Sequence, residues 1–324
     1  MILAGIDIGT NSLRLLIAEI SHGEFRGIHT DRIVTRLGRG LNDTGKLDRD
    51  AKRRTLGALW NFTESIRRHG VQHTSAIGTS ALRNASDSRQ FIKEIKQETT
   101  LDVRVATGDE EAGLTLLGVA HSLKGSGRKG GNPLLSSLVI DIGGGSTEII
   151  ISRPKQQTLV ESLPLGAVYL TERFIKNDPP SLSDVDLLRS AVRLELGSRG
   201  HETQPVPSSI FVGTAGTVTT LAAIDQGLET YDPRRINRYV LTREVIDDIV
   251  EKLSRMPLSD RKTLRGLEPG REDIILAGAV VTQEIMMRYG YTSMLVSDWG
   301  LREGIVLDLF EKLDRRRYSG LEHS

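Results

Sequence analysis

The sequence predicts an α/β protein built from two similar domains, and three observations carry that expectation. First, two stretches share an Asp-Ile-Gly turn between apolar β-branched runs. In I-D-I-G-T-N-S-L-R-L-L-I, residues Ile6, Asp7, Ile8, Gly9, Ser12 and Ile17 match Ile140, Asp141, Ile142, Gly143, Ser146 and Ile151 of I-D-I-G-G-G-S-T-E-I-I-I. Each reads as strand, tight Gly turn, strand. Second, Ala76-Ile77-Gly78-Thr79-Ser80-Ala81 resembles Phe211-Val212-Gly213-Thr214-Ala215-Gly216 at nearly the same offset, so an internal duplication is the simplest account. Third, 324 residues suffice for two domains with separate cores. The two Gly turns are expected to face each other across a cleft.

The elements follow in order. Ile2 to Asp7 and Leu13 to Glu19 form the first hairpin, and residues 25–38 extend it, ending in Arg36-Leu37-Gly38-Arg39-Gly40. Leu47 to His69 has helical spacing, with Leu56, Leu59, Trp60, Thr63 and Ile66 expected on one face. Thr74 to Gly78 is a strand, Ser88 to Thr99 a helix and Asp102 to Ala106 a strand. Thr107 is a plausible N-cap for a helix running to Leu123, and Glu110 and Glu111 would complement its dipole. Lys124 to Asn132 is Gly-rich and basic and reads as the linker, Arg128 and Lys129 included.

After the second hairpin come a strand at Val160 to Leu165, a helix from Gly166 to Ile175 and a helix from Ser183 to Gly197. A strand at Ile210 to Gly213 leads through Thr214-Ala215-Gly216-Thr217 into a helix to Ala223, and such a Gly-Thr turn is a ready anion site. Arg243 to Met256 is helical, Gly270 opens a long apolar helix through Arg288, and Met294 to Ser297 is a strand before the last helix to about Arg315. The domains are expected at 1–124 and 125–299, with residues from about 300 to 316 returning to the first.

The bulk numbers exclude several classes. A net charge of +1 offers no basic field for nucleic acid. No apolar run approaches a membrane span. Absence of cysteine removes thiol nucleophiles and thiolate metal sites and fits a reducing, cytoplasmic setting. The seven histidines show no ligand spacing, and the N-terminus lacks a basic region of the signal-peptide kind.

The second turn carries the chemistry. Gly143, Gly144 and Gly145 let backbone N–H groups approach an anion, and Ser146 and Thr147 add hydroxyls. Asp141 and Glu148 flank the turn, so a divalent cation between two acids and a phosphate is the natural occupant. A Gly-rich hairpin without a ligand is the alternative.

Five motifs in this order, D-I-G-T-N-S from Asp7, G-D-E-E-A from Gly108, D-I-G-G-G-S-T-E from Asp141, G-T-A-G-T from Gly213 and S-D-W-G-L-R-E-G from Ser297, resemble the exopolyphosphatase / guanosine pentaphosphate phosphohydrolase family. The resemblance spans nearly the whole chain. It implies the actin-like ATPase (ribonuclease H-like) fold: α/β, two duplicated domains around a cleft. It also implies removal of terminal phosphate from inorganic polyphosphate with Mg²⁺ or another divalent cation. Glu111 would be the general base, Glu148 would place water or metal, and Asp141 would hold the metal. The phosphate-binding residues would be Thr10, Asn11, Ser12, Arg14, Arg83, Gly143, Gly144, Gly145, Ser146, Thr147, Gly213, Thr214, Gly216 and Thr217.

Arg271 and Arg302 are further candidates, with ion pairs to neighbouring acids as the alternative. Thr10 and Thr107 stand where the family more often has Ser, and Glu272 where it often has Ala. The extra C-terminal helical region of long members is missing. That shortness predicts a weaker, distributive grip on the polymer, and a homodimer is an open alternative. Guanosine pentaphosphate is the second candidate substrate. A small-metabolite kinase or an actin-type nucleotide switch fits the G-D-E-E-A helix start and short connections less well.

Overall fold

The computed structural model describes residues 1–21, 24–124, 134–198 and 209–321, with side chains described to 315. The linker residues Gly125 to Asn132, Arg128 and Lys129 among them, lie outside the described residues. Contacts divide the chain into two units, Met1–Gly118 with Gly300–Ser324, and Val119–Trp299.

In the first unit, β1 (Ile2–Ile8), β2 (Ser12–Ser21) and β3 (Glu24–Val34) form an antiparallel meander. A short α1 (Leu41–Thr44), the long α2 (Arg49–Arg68), β4 (His73–Gly78), α3 (Ser80–Asn84), α4 (Ser88–Thr99) and β5 (Val103–Val105) follow, and α5 (Gly108–Ser122) begins here. The sheet order is β3-β2-β1-β4-β5, with β4 parallel to both neighbours. Strands β1 and β2 are apolar on both faces because both faces are covered: Ala4, Ile6 and Ile8 share a cluster with Leu59, Phe62 and Phe91 of α2 and α4. Leu3, Leu16 and Ala18 pack instead with Val306 and Leu307 of the terminal helix.

The second unit runs through β6 (Ser137–Ile142), β7 (Thr147–Ser152), β8 (Leu159–Leu163), α6 (Ala167–Phe174), α7 (Leu182–Gly197), β9 (Ile210–Thr214), α8 (Ala215–Asp225), α9 (Pro233–Ile236), β10 (Val240–Thr242), α10 (Arg243–Arg255), α11 (Leu258–Arg261), α12 (Ile275–Tyr289) and β11 (Ser293–Val296). The chain returns to the first unit as α13 (Leu301–Leu321). The sheet order is β10-β11-β9-β6-β7-β8. Its β8-β7-β6-β9-β11 portion repeats the strand order and directions of the first sheet. The expected duplicated α/β architecture is therefore present in the topology as well as in the sequence. Every α12 residue from Ile275 to Met286 is buried, which makes this helix the centre of the second core.

Where α5 and α13 meet in the first unit, glycine allows backbone contact. A Cβ on Gly118 would lie 2.1 Å from the Gly300 carbonyl oxygen, and one on Gly304 would lie 1.8 Å from that of Leu114. Any side chain there would drive the helices apart, since packed cores resist added volume.

Two expected elements change. Trp60 is 57% exposed, and α2 instead buries Ala51, Thr55, Ala58, Leu59 and Phe62. Trp60 projects well outside the buried arc. The long apolar helix starts at Ile275, not at Gly270, because Gly270 has φ of +84° and its N–H is claimed by the Glu272 carboxylate at 3.0 Å. Among the described residues no helix is long and apolar enough to cross a membrane.

Candidate active site

Both hairpin turns close in the same way. Gly9 N donates to Ser12 O at 3.1 Å, and Gly143 N donates to Ser146 O at 3.0 Å. The flanking strands then set side chains in rows across each sheet, because directly opposed residues project from one face. In the second unit the row is Thr214, Asp141, Glu148, Ser162. In the first it is Ile77, Asp7, Arg14, Arg32. The Gly-Thr turns that matched in sequence differ by two residues in register. Gly78 lies one residue beyond the partner of Asp7, whereas Gly213 lies one before the partner of Asp141.

The acid row of the second unit is deeply set. Asp141 is 6% and Glu148 1% exposed. Ser162 Oγ donates to Glu148 Oε1 at 2.8 Å, fixing the carboxylate; nothing in the local sequence singles out Ser162, because its role depends on strand register. The glycine turn is braced from outside by the start of α6. Ala167 N donates to Gly143 O at 3.0 Å and Val168 N to Gly144 O at 2.8 Å. A Cβ on Gly166 would lie 2.2 Å from the Gly145 carbonyl carbon. Thr147 Oγ1 donates to Leu165 O at 2.7 Å, so this hydroxyl braces the turn in this arrangement. Asp141 and Glu148, two hard oxygen donors on adjacent strands, would be the residues to hold a cation such as Mg²⁺. Among the described residues no group of three or more acidic or histidine side chains gathers for a metal.

The Gly213 turn leads into α8 through Ala215, which has φ of +66°, a left-handed conformation costly for a residue with a Cβ. Thr214 Oγ1 donates to Trp299 O at 3.0 Å and leaves the helix without a side-chain cap. Thr217 packs its methyl toward Gly278, where a Cβ would lie 2.4 Å away. Arg271 covers Gly216: a Cβ there would fall 1.7 Å from Nη2. The arginine is buried and paired with Glu268, Nε to Oε2 at 2.8 Å. Tyr231, whose phenol is pushed up by burial and by the neighbouring Asp298 carboxylate, donates to Asp298.

In the first unit, Thr10, Asn11 and Ser12 are all buried at the turn. The two glutamates of α5 separate cleanly. Glu110 forms a reciprocal cap with Thr107, accepting from Thr107 N at 2.9 Å while Thr107 Oγ1 accepts from Glu110 N at 3.2 Å. The Thr107 N–H, with Arg104 adding to it, holds the Glu110 carboxyl below its ordinary value. Glu111 turns inward, 7% exposed, and accepts from Arg83 Nη1 at 2.9 Å. The same nitrogen donates to Ala106 O at 2.8 Å, so Arg83 is fixed to the end of the strand below it.

Arg302 pairs with its neighbour Glu303, Nε to Oε1 at 2.9 Å, and Glu303 also caps Gly300 N at 3.0 Å. The ion-pair alternative thus describes both Arg271 and Arg302. Glu272 closes the Gly270 turn, and buried Arg261 donates to the Glu272 carbonyl oxygen at 3.2 Å.

Known proteins share this sequence pattern and fold. A family model described as the Ppx/GppA phosphatase family matches residues 16–313. Exopolyphosphatase 2 of Mycobacterium tuberculosis is 32% identical over 94% of this chain and 98% of its own length. The crystal structure of the Aquifex aeolicus Ppx/GppA family member is 34% identical, with a TM-score of 0.79 over 96% of this chain and 98% of that one. An exopolyphosphatase from Cytophaga hutchinsonii, at 26% identity, gives a TM-score of 0.85 over the same shares.

Proposed function

The chain belongs to the Ppx/GppA phosphatase family, and from that premise we propose that it removes the terminal phosphate of inorganic polyphosphate by attack of water. The observation that carries the reading is the pair of matched turns, each closed by the same Gly-to-Ser hydrogen bond, one flanked by two buried acids and the other by an acid and an arginine. Such turns offer backbone N–H groups to phosphoryl oxygens. The exopolyphosphatase relatives support the choice of polymer.

In this reading Asp141 and Glu148 hold a divalent cation, partly through waters. The cation's chemistry is charge neutralisation on the phosphoryl group. Ser162 fixes the Glu148 oxygen that the site uses. The Gly143–Ser146 turn, the Thr10–Ser12 turn and Arg14 bind phosphoryl oxygens, and the start of α8 under Arg271 binds another. Glu111 accepts the proton of the attacking water, and Arg83 keeps its carboxylate oriented before substrate arrives. Phosphoryl transfer asks little more of a protein than such positioning and charge stabilisation.

The test is phosphate release by the purified chain from polyphosphate, guanosine pentaphosphate and ATP, with Mg²⁺ and with chelator. Fastest release from polyphosphate, abolished by chelator, is the expected result. Release from guanosine pentaphosphate alone would replace the substrate, and metal-independent turnover would overturn the role of Asp141.

A further inference from the structure

We propose that residues 35–38 position the first glycine turn for substrate, and that the contact of Gly38 with the Thr10 methyl sets the Thr10 hydroxyl for a phosphoryl oxygen. The proposal deepens the functional reading and rests on it.

After β3 the chain folds back onto the turn. Thr35 N and Arg36 N both donate to Asn11 O, at 3.1 and 2.8 Å, and Gly38 N donates to Thr10 O at 2.9 Å. The segment is itself held in place. Arg54 Nε donates to Thr35 O at 3.0 Å, Leu37 is fully buried, and Leu41 N donates to Gly38 O at 3.2 Å. The Arg36 backbone keeps φ of 52°, a left-handed conformation that persists where the surroundings impose it. These bonds turn the Thr10 and Asn11 carbonyls toward the segment. In a planar trans peptide the N–H lies opposite the C=O, so the N–H groups of Asn11 and Ser12 are aimed away from it. Aimed N–H groups of successive residues are how a turn receives an anion.

The side chain of Thr10 is set by the same segment. A Cβ on Gly38 would lie 2.3 Å from Thr10 Cγ2 and 3.4 Å from Thr10 Cβ, so the close approach requires glycine. Threonine is stiff about χ1, and a methyl seated on Gly38 confines the hydroxyl to another staggered position. Thr10 is 6% exposed, and its hydroxyl is shielded from solvent with no hydrogen-bond partner among the described residues. A buried hydroxyl without a partner costs free energy, and an arriving phosphoryl oxygen supplies the acceptor. Gly38 is thus a positioning residue: it holds the hydroxyl before substrate arrives and lowers the ordering cost of binding.

The test measures KM and kcat on polyphosphate, and unfolding in denaturant, for the full chain. The variants are Thr10→Val, Thr10→Ser, Gly38→Ala, Thr10→Ser/Gly38→Ala and Thr10→Val/Gly38→Ala. Thr10→Val keeps the shape and loses the hydroxyl, and should raise KM about tenfold or more, the worth of a hydrogen bond to a charged group. Thr10→Ser frees the hydroxyl among three staggered wells and should raise KM by up to about threefold. Gly38→Ala drives the methyl off its seat and should raise KM about twofold to tenfold, with kcat changed less. In Thr10→Ser/Gly38→Ala the methyl has moved to the other side of the contact, so volume is conserved and KM should return to within about twofold of wild type. The collision persists in Thr10→Val/Gly38→Ala. That variant should be less stable than Thr10→Val yet share its KM, because no hydroxyl is left to misplace. A merely structural contact would instead raise KM in both backgrounds.

An unchanged KM in Thr10→Val, or the same KM penalty for Gly38→Ala with and without the hydroxyl, would overturn the proposal while wild-type turnover of polyphosphate stands. If Gly38→Ala does not fold, Thr10→Ser and Thr10→Ser/Gly38→Ala decide: a lower KM in the double variant supports the contact, and an equal or higher one overturns it. Wild type that releases no phosphate from polyphosphate overturns the functional reading first, and this proposal with it.

Discussion

The two hairpins share a backbone and differ in what they carry across the sheet. Each begins with Asp-Ile-Gly, closes through a Gly N to Ser O hydrogen bond and sits beside a parallel strand. Yet Asp141 faces Glu148, while Asp7 faces Arg14, and the next strand adds Ser162 in one case and Arg32 in the other. On the function proposed above, the exchange of Glu148 for Arg14 opposite the aspartate would turn a row that holds a cation into one that meets an anion. The turn geometry is common to both units, and the residue opposite the aspartate is not.

The largest expected effect tests what the rows serve. Glu111→Gln should reduce kcat by about 10²–10⁴-fold, the usual worth of a positioned base, with substrate binding largely retained. Retention of more than about a tenth of wild-type kcat would leave Glu111 as a structural partner of Arg83.

Next in size is the acid row itself. Asp141→Asn and Glu148→Gln should each raise the metal concentration for half-maximal rate by about tenfold or more. Since the two acids are cross-strand neighbours, their combined loss should fall short of the sum of the single free energies. Strict additivity in that double-mutant cycle would separate their roles.

A smaller effect sharpens the comparison at the helix starts. The residue matched to Gly216 in the first unit is Ala81, and Gly216 lies under Arg271. Gly216→Ala should displace Arg271 and cost about 1–3 kcal/mol of stability, measured by denaturant unfolding. A neutral result would mean that Arg271 moves aside freely. Ser162→Ala leaves Glu148 with one fewer donor and should weaken metal binding by about tenfold, the low end for a supporting hydrogen bond. An unchanged metal midpoint would remove Ser162 from the site.

The smallest effect concerns Glu110, the half-exposed partner of Thr107. Its folded pKa is depressed from 4.5, so its contribution is fully present above that value and is lost as pH falls through the lower folded value. Glu110→Gln should lower Tm slightly at pH 7, by less than about 1 kcal/mol of stability after solvent screening, and the difference should vanish in acid. A gap that persists unchanged below the folded pKa would contradict the sign.

The duplication was legible in the sequence because glycine turns and Asp-Ile-Gly runs are local. What depends on long-range register was not. Ser162 and Arg32 enter their rows only through the pairing of β8 with β7 and of β3 with β2, which no short motif encodes. By residue chemistry alone Glu110 and Glu111 are equivalent, and only the family resemblance singles out Glu111. Their separation needs both the Thr107 cap and the position of Arg83 from another helix. The donor roles expected of the Thr147 and Thr214 hydroxyls compete here with the Leu165 and Trp299 carbonyl oxygens, partners far along the chain. Helical spacing placed Trp60 on one face with Leu59, but Leu59 is buried and Trp60 is exposed, because the buried arc of the helix centres on Ala51, Thr55 and Phe62 instead.

The most direct test of the contrast between the rows is a pair of titrations on three proteins: wild type, Asp141→Asn and Arg14→Met. Calorimetry with Mn²⁺ reads the cation, and polyphosphate retention at low salt reads the anion. We expect Asp141→Asn to weaken Mn²⁺ binding about tenfold or more while Arg14→Met leaves it unchanged and weakens polyphosphate instead. Equal losses of Mn²⁺ affinity in both variants, or a loss confined to Arg14→Met, would contradict the assignment of cation and anion to the two rows.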